Sequence, residues 1–489
     1  MKDQTFQRAT LLRESCLING RWVSSLFDQR FTIKNPANGA AIGTVPGMQA
    51  PDVVAAIDAA VMAFEGWRRS LPATRAKLLR AWFDLIQANR QPLARLLTLE
   101  AGKPLAESLG EIDYASSYVE WYAEEARRVY GDVLPQHQTD KRLLVLREPV
   151  GPVAAITSWN FPAALITRKV APALAAGCTV VVKPALQTPY SALALADLAL
   201  QAGMPPGVFN VVTGKSIEIG HALLKDPRIR KLTFTGSTET GKTLMRACAD
   251  TLKRLSLELG GNAPFIVFED ADVDRAVDGA MAAKFRNAGQ TCVCANRFIV
   301  HRTVYAEFSS KFTARVAGLN VGDGCAPGID IGPLIDENAM TKVESHIADA
   351  IALGARVGTG GARHAAGRTF FTPTVLLDVT ANMLIAREET FGPVAPLFAF
   401  DTEEQAISLA NGTEFGLAAY FYSRDVSRVW RVAESIESGM IGINTGMIST
   451  AVAPFGGIKE SGMGREGSRY GLDDYTSLKY LCLQIDDPR

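Results

Sequence analysis

The sequence predicts an α/β protein with two doubly wound parallel-sheet domains and a small additional β element. Two observations carry this. Between residues 149 and 259, short apolar strand-like runs alternate with helical stretches, and the alternation resumes from 264 to about 444. Such alternation is best buried as a parallel sheet with helices on both faces. The 489 residues also leave room for about three domains of ~150 residues each.

The elements follow in order. Residues 17–45 hold short strand-like runs divided by the turn signals Asn19-Gly20, Asn35-Pro36 and Asn38-Gly39. From Asp52 to about Arg128 the apolar period is helical, with Asp52 as an N-cap and Glu100-Ala101-Gly102-Lys103-Pro104 breaking the run. Residues 131–147 depart from that layer. Their strand-like core at 143–146 lies between charged flanks, as in segments that pair outside their own domain.

Strands of the first alternating region are expected at 150–156, 179–183, 208–212, 231–235 and 255–259, with Thr188-Pro189 opening a helix. The unusual residues sit at the strand ends: Trp159-Asn160, Lys183, Gly236 and Glu258. Doubly wound sheets bind ligands beyond those carboxyl ends. In the second region strands are expected at 265–268, 298–300, 395–400, 416–422 and 440–444, and helices at 272–285 and 404–411. A glycine-rich loop, 455–471, and a strand-like run, 478–483, close the chain.

Composition excludes several classes. Hydrophobic residues make up 47% and charged residues 21%, a soluble globular profile. Lysine plus arginine equals aspartate plus glutamate at 51 each. That balance gives no electrostatic case for a nucleic acid or membrane partner. Seven cysteines form no secreted disulfide framework, and five scattered histidines argue against a metal site. Residues 1–15 lack the apolar core of a signal peptide. No apolar run approaches the ~18 residues of a membrane span. The expected setting is a reducing cytoplasm.

The chemistry centres on Gly289-Gln290-Thr291-Cys292-Val293-Cys294-Ala295-Asn296-Arg297. Cys292 lies among small and polar residues between a helical and a strand-like run, on a loop that a substrate can reach. A thiol there attacks an electrophilic carbon once its pKa is lowered or a base is near. A free cysteine is otherwise a small buried hydrophobe. Two other motifs compete. Gly236-Ser237-Thr238-Glu239-Thr240-Gly241-Lys242-Thr243 fits the phosphate-loop pattern, after a strand and before a helix. It makes a nucleotidase the rival reading, but leaves Cys292, Glu258 and Asn160 without roles. The same helix start suits a dinucleotide pyrophosphate. Gly462-Met463-Gly464-Arg465-Glu466-Gly467 matches the dinucleotide fingerprint with too little chain after it for a βαβ unit, and is read as a loop.

With Ser158-Trp159-Asn160-Phe161-Pro162, Phe234-Thr235-Gly236-Ser237-Thr238, Glu258-Leu259-Gly260-Gly261-Asn262, the Cys292 segment and Glu389-Thr390-Phe391-Gly392-Pro393 in this order, the chain resembles the aldehyde dehydrogenase superfamily. Within it, Ile166-Thr167-Arg168-Lys169, Lys284-Phe285-Arg286-Asn287 and the run from Pro454 to Gly462 look most like the succinate-semialdehyde dehydrogenases. The resemblance implies Rossmann-like domains and the following roles. Cys292 is the nucleophile, Asn160 the oxyanion donor and Glu258 the general base that hydrolyses the thioester. Trp159, Lys183, Gly236, Ser237, Glu389 and Phe391 hold NADP or NAD. Arg168 and Arg286 bind a substrate carboxylate, with Ser449 and Phe455 beside it. Leu186 stands where NAD-preferring relatives often place an acid that repels a 2′-phosphate. This admits NADP, though the serine of some NADP enzymes is missing too.

The spacing of Cys292 and Cys294, with the resemblance to family members that carry a redox-switched pair, implies a disulfide between them under oxidation that blocks the nucleophile. The expected division is a cofactor domain (1–132 and 148–257), a catalytic domain (258–470) and a bridging element (133–147 and 471–489) that makes a homodimer or homotetramer. Glutarate semialdehyde, one methylene longer, stays open as substrate. So does a non-enzymatic protein that keeps this fold, as some lens crystallins do.

Overall fold

The structure, a computed structural model, describes residues 11–486; the first ten residues of the N-terminal stretch read above lie outside it. The chain opens with β1 (Cys16–Ile18) and β2 (Arg21–Val23), then the hairpin of β3 (Arg30–Lys34) and β4 (Ala41–Pro46). Four helices follow: α1 (Ala50–Trp67), α2 (Pro72–Ala88), α3 (Arg90–Ala101) and α4 (Leu105–Glu125). Asp52 is not the N-cap of α1. It sits at the third helical position, and its carboxylate accepts from the Gln49 backbone N–H at 3.0 Å, a capping box. Gly102, left-handed at φ 80°, ends α3 where the sequence breaks.

Next come β5 (Asp132–Leu134) and β6 (Lys141–Pro149), which pair with each other outside the first large sheet, β6 also pairing with the last strand of the chain. β6 takes up residues to 149, so the strand expected at 150–156 begins only at Val153.

Then β7 (Val153–Ile156), α5 (Ala164–Ala176), β8 (Val180–Lys183), α6 (Tyr190–Gln201), β9 (Phe209–Val211), α7 (Ser216–Lys225), β10 (Lys231–Thr235), α8 (Thr238–Ala249) and β11 (Arg254–Glu258) alternate as predicted. The five strands are parallel, in the order β9-β8-β7-β10-β11. Connections run one way from β7 and return to its other side for β10. The switch point therefore opens between the carboxyl ends of β7 and β10. α5 is buried on every face, and Pro172 inside it cannot donate to the Arg168 carbonyl.

The second sheet contains β12 (Ala263–Val267), β13 (Ala295–His301), β14 (Arg356–Thr359), β15 (Thr374–Leu377), β16 (Val394–Phe400), β18 (Ala418–Tyr422) and β19 (Met440–Ile443). Its order is β14-β15-β16-β13-β12-β18-β19, parallel except for the edge pair β14–β15. α9 (Val273–Lys284) connects β12 to the Cys292 loop, and Asp272 caps it by accepting from the Arg275 N–H at 3.2 Å. Between β16 and β18, β17 (Phe415–Gly416) pairs with β20 (Ile458–Lys459).

The glycine-rich segment is not wholly loop. β21 (Gly462–Met463) pairs antiparallel with β11, beside Glu258. Gly462 has φ 119°, and a Cβ there would lie 1.9 Å from the Leu257 carbonyl oxygen, so only glycine fits. β22 (Thr476–Gln484) ends the chain against β6 and β5. Among the described residues no helix is long and apolar enough to cross a membrane.

Candidate active site

α9 hands over to the nucleophile loop through a sharp reversal. Asn287, Ala288 and Gly289 are all left-handed, at φ 53°, 55° and 74°. At Gly289 a Cβ would lie 2.1 Å from the Gly392 carbonyl oxygen, so this loop and the one carrying Glu389 meet backbone to backbone. The reversal leaves Cys292 half-buried among buried neighbours. Cys292 lines a cleft of about 200 Å³ together with Trp159, Asn160, Gly236, Ser237, Glu389 and Phe391. These residues come from both sheets and meet at the switch point.

The electrostatics of the thiol are mixed. Burial pushes Cys292 up to about 12, opposed first by Arg168 and more weakly by Arg286. Asn160 is buried, and its Nδ2 donates to the Gln290 carbonyl at 3.1 Å. An amide nitrogen carries two hydrogens. One bond to Gln290 fixes the amide plane and leaves the second N–H for a developing oxyanion.

Glu258 ends β11, 2% exposed, and neither of its carboxylate oxygens has a hydrogen-bond partner among the described residues. Burial drives its pKa well above the carboxylate range, and the Glu466 carboxylate adds to the effect. An unpartnered buried carboxyl is costly. That cost marks Glu258 as a candidate for acid–base work.

Around the cleft, Lys183 is buried at the end of β8, where its Nζ donates to Ser216 Oγ at 2.6 Å. Burial lowers its pKa to about 8. Leu186 is half-buried three residues on. Ser237 caps α8 by accepting from the Thr240 N–H. Glu389 Oε1 accepts from the Gly261 N–H at 3.1 Å, and burial raises the carboxyl to about 7. Phe391, left-handed at φ 53°, sets its ring edge-on to Trp159 at 5.6 Å.

The expected substrate residues divide. Arg168 is buried on α5, with its guanidinium 4.3 Å from the centre of the Phe455 ring. It is ion-paired with Glu466, which also accepts from Lys169, yet Arg168 Nη2 has no hydrogen-bond partner among the described residues. Arg286 is half-buried over the Phe161 ring at 5.3 Å. Ser449 is half-buried on the loop after β19 and makes no hydrogen bond among the described residues. Cys294 is a free, buried thiol whose Sγ donates to the Lys284 carbonyl at 3.0 Å.

The phosphate-loop reading fails on geometry. Such a loop wraps phosphate with free backbone N–H groups before its helix begins. Here Gly241 and Lys242 already lie inside α8, Gly236 N–H donates to the Glu258 carbonyl at 3.1 Å, and Lys242 is bonded to Glu460 at 2.6 Å.

Residues 22–481 match the aldehyde dehydrogenase family. The chain belongs to that family. It is 59% identical to a succinate-semialdehyde dehydrogenase [NADP(+)] of Escherichia coli, over 98% of this chain and 99% of the relative. To a glutarate-semialdehyde dehydrogenase of Pseudomonas aeruginosa it is 58% identical, over 97% and 98%. The crystal structure of a succinate-semialdehyde dehydrogenase from Burkholderia pseudomallei superposes with a TM-score of 0.97 at 58% identity, covering 99% and 100%.

Sequence reasoning missed the charged groups behind this aldehyde dehydrogenase's cleft. Glu466 was absorbed into a glycine motif, and the charges Arg168-Lys169 on an otherwise apolar helix were the available signal for a buried acid. Lys103 pairs with Glu111 at 2.5 Å and also donates to the Asn160 carbonyl at 2.8 Å. Glu107, raised to about 7 by burial, accepts from the Asn287 N–H at 2.9 Å.

Proposed function

We propose that this aldehyde dehydrogenase oxidises succinic semialdehyde to succinate, with NADP as the favoured acceptor and NAD as the alternative. The carrying observation is a pair of guanidiniums: Arg168, buried on α5 against the Phe455 ring with Nη2 unpartnered among the described residues, and Arg286, over the Phe161 ring in the turn that leads to Cys292. A small aldehyde with a carboxylate at its far end satisfies them, because arginine binds carboxylate through paired N–H donors. The printed activities of the relatives support an acidic semialdehyde. Glutarate semialdehyde is the second reading, since one methylene is worth only ~1–3 kcal/mol to a pocket.

The cleft residues fit a nicotinamide dinucleotide. The free amino end of α8, capped by Ser237, suits the pyrophosphate. Lys183 and Glu389 suit the two riboses, and the Trp159–Phe391 pair offers apolar walls. When bound, the nicotinamide supplies the hydride acceptor. Leu186 brings no negative charge against a 2′-phosphate.

Cys292 gives up its proton to solvent and attacks the aldehyde carbon as the thiolate, and the oxygen takes the pair of electrons leaving the carbonyl π bond. Asn160 Nδ2–H and the backbone at the nucleophile stabilise that charge. Loss of hydride leaves a thioester on Cys292. Glu258 then removes a proton from water, the hydroxide adds to the thioester, and the thiolate leaves. A base with a raised pKa suits this step, because its proton affinity approaches what water deprotonation demands.

The expected domain division belongs to the same proposal, with Glu258 at the seam between the sheets. So does assembly as a homodimer or homotetramer through β22, where Leu478 and Leu483 are 67% and 55% exposed. A cytoplasmic setting and a reversible Cys292–Cys294 disulfide complete it.

The test is reduction of NADP and NAD by the purified protein with succinic semialdehyde, glutaric semialdehyde and butanal. Faster turnover of the acidic aldehydes is expected. Equal kcat/KM with butanal would remove the arginine argument, and the faster dinucleotide decides the role of Leu186.

A further inference from the structure

We infer that Asn287 is a positioning residue for the oxyanion donor, holding Asn160 through a two-carbonyl bridge. The inference rests on the proposed thiol chemistry. Asn287 Nδ2 donates to the Asn160 backbone carbonyl at 3.0 Å and to the Gln290 carbonyl at 3.2 Å. The Gln290 carbonyl is the acceptor that fixes the Asn160 amide, at 3.1 Å. Asn287 thus ties the main chain of the donor residue to the group that orients the donor's side chain. Both of its amide hydrogens are used, and each carbonyl it touches accepts a second bond, from Lys103 to Asn160 and from Asn160 to Gln290.

The surroundings hold Asn287 in place. It is 3% exposed, and its own carbonyl accepts from Gln290 N–H at 3.0 Å and from Gln290 Nε2 at 3.1 Å. Gln290 Oε1 accepts from the Ile335 N–H at 2.9 Å, which ties the turn to the chain before α11 (Glu337–Ala352). The left-handed backbone at 287 suits asparagine better than most residues, but glycine would suit it equally well. Conformation alone therefore does not require this side chain; the bridge does. Without it, the Gln290 carbonyl can tilt, and the Asn160 amide turns with it.

The test is a double-mutant cycle of Asn287→Gly with Asn160→Ala. Glycine keeps the left-handed turn and removes only the bridge. With succinic semialdehyde, Asn287→Gly is expected to lower kcat roughly 10- to 100-fold, as for a catalytic group misplaced by a fraction of an ångström to an ångström. Asn160→Ala is expected to lower it roughly 100- to 1,000-fold. The double variant should match Asn160→Ala within about threefold, because a positioning residue has nothing left to position.

Alkylation of Cys292 by iodoacetamide forms no oxyanion, so its rate constant in Asn287→Gly should stay within about threefold of wild type. Asn287→Ser, whose hydroxyl is too short to span both carbonyls, goes through the same cycle so that a second folded variant lacking the bridge is measured. Additive losses, near-wild-type turnover, or alkylation falling in step with turnover would each overturn the inference. If the wild type itself turned over no aldehyde, the dehydrogenase reading would fail instead.

Discussion

Replacing Arg168 by methionine separates its two contacts. The side chain is buried, one part of its guanidinium faces Glu466, and Nη2 is left without a partner. In the proposed reading this donor, unpartnered among the described residues, takes the substrate carboxylate. A hydrogen bond to a charged group contributes ~1.5–3 kcal/mol. Its loss should lower kcat/KM for succinic semialdehyde relative to butanal by roughly 10- to 150-fold. The second contact acts on both aldehydes. With Arg168 gone, Glu258 loses a cation that lowers its pKa, and the Glu466 carboxylate that raises it keeps Lys169 as its ion-pair partner among the described residues. Glu258 works deprotonated, so kcat for both substrates should fall at neutral pH and recover at higher pH. Breaking the buried pair should also cost ~3–5 kcal/mol of stability, read as a lower denaturation midpoint. The assay is kcat/KM for the two aldehydes across pH, wild type beside Arg168→Met. An acid-to-neutral ratio unchanged within about threefold would refute the carboxylate role. An unshifted pH profile would refute the electrostatic coupling of Arg168 and Glu466 to Glu258.

Other expectations follow from the same geometry. Burial raises both Cys292, to about 12, and Glu258, and in the proposed mechanism both react deprotonated, so log kcat/KM should rise with pH through neutrality and still be rising at about pH 9; a flat profile would contradict these assignments. Gly289→Ala places a methyl 2.1 Å from the Gly392 carbonyl, and parting the loops by about an ångström should lower kcat ~100-fold, whereas a kcat within about fivefold of wild type would show that the loops need not meet. Peroxide inactivation of the wild type should be reversed by dithiothreitol, and Cys294→Ala should differ from it in sensitivity; failure of rescue, or equal sensitivity of the variant, would exclude the disulfide.

Much of this was legible in the sequence because strand ends announce themselves. Lys183 closes an apolar run, Gly236 follows another, and Glu258 closes a third, so the residues that line or flank the cleft were readable at the ends of their strands. Asp52 was misjudged by three positions because an acid in the first turn serves a capping box as readily as a cap. β14 and β15 were missed because Gly358, Gly360 and Pro373 break the apolar pattern of an antiparallel edge pair. Glu466 was missed for a different reason. Its partners Arg168 and Lys169 lie almost 300 positions away, and no local period connects a glycine-rich loop to a buried helix. Asn287 reads locally as a turn residue; only the fold brings it to the Asn160 carbonyl.

The most direct test of the thioester mechanism is a pre-steady-state experiment on Glu258→Gln beside Cys292→Ala, with succinic semialdehyde and NADP. The account predicts a burst of about one reduced nicotinamide per subunit for Glu258→Gln, then near-arrest, with a succinyl adduct on the Cys292 peptide by mass spectrometry. Cys292→Ala should give no burst and no adduct. Sustained wild-type turnover by Glu258→Gln, or a burst from Cys292→Ala, would contradict it.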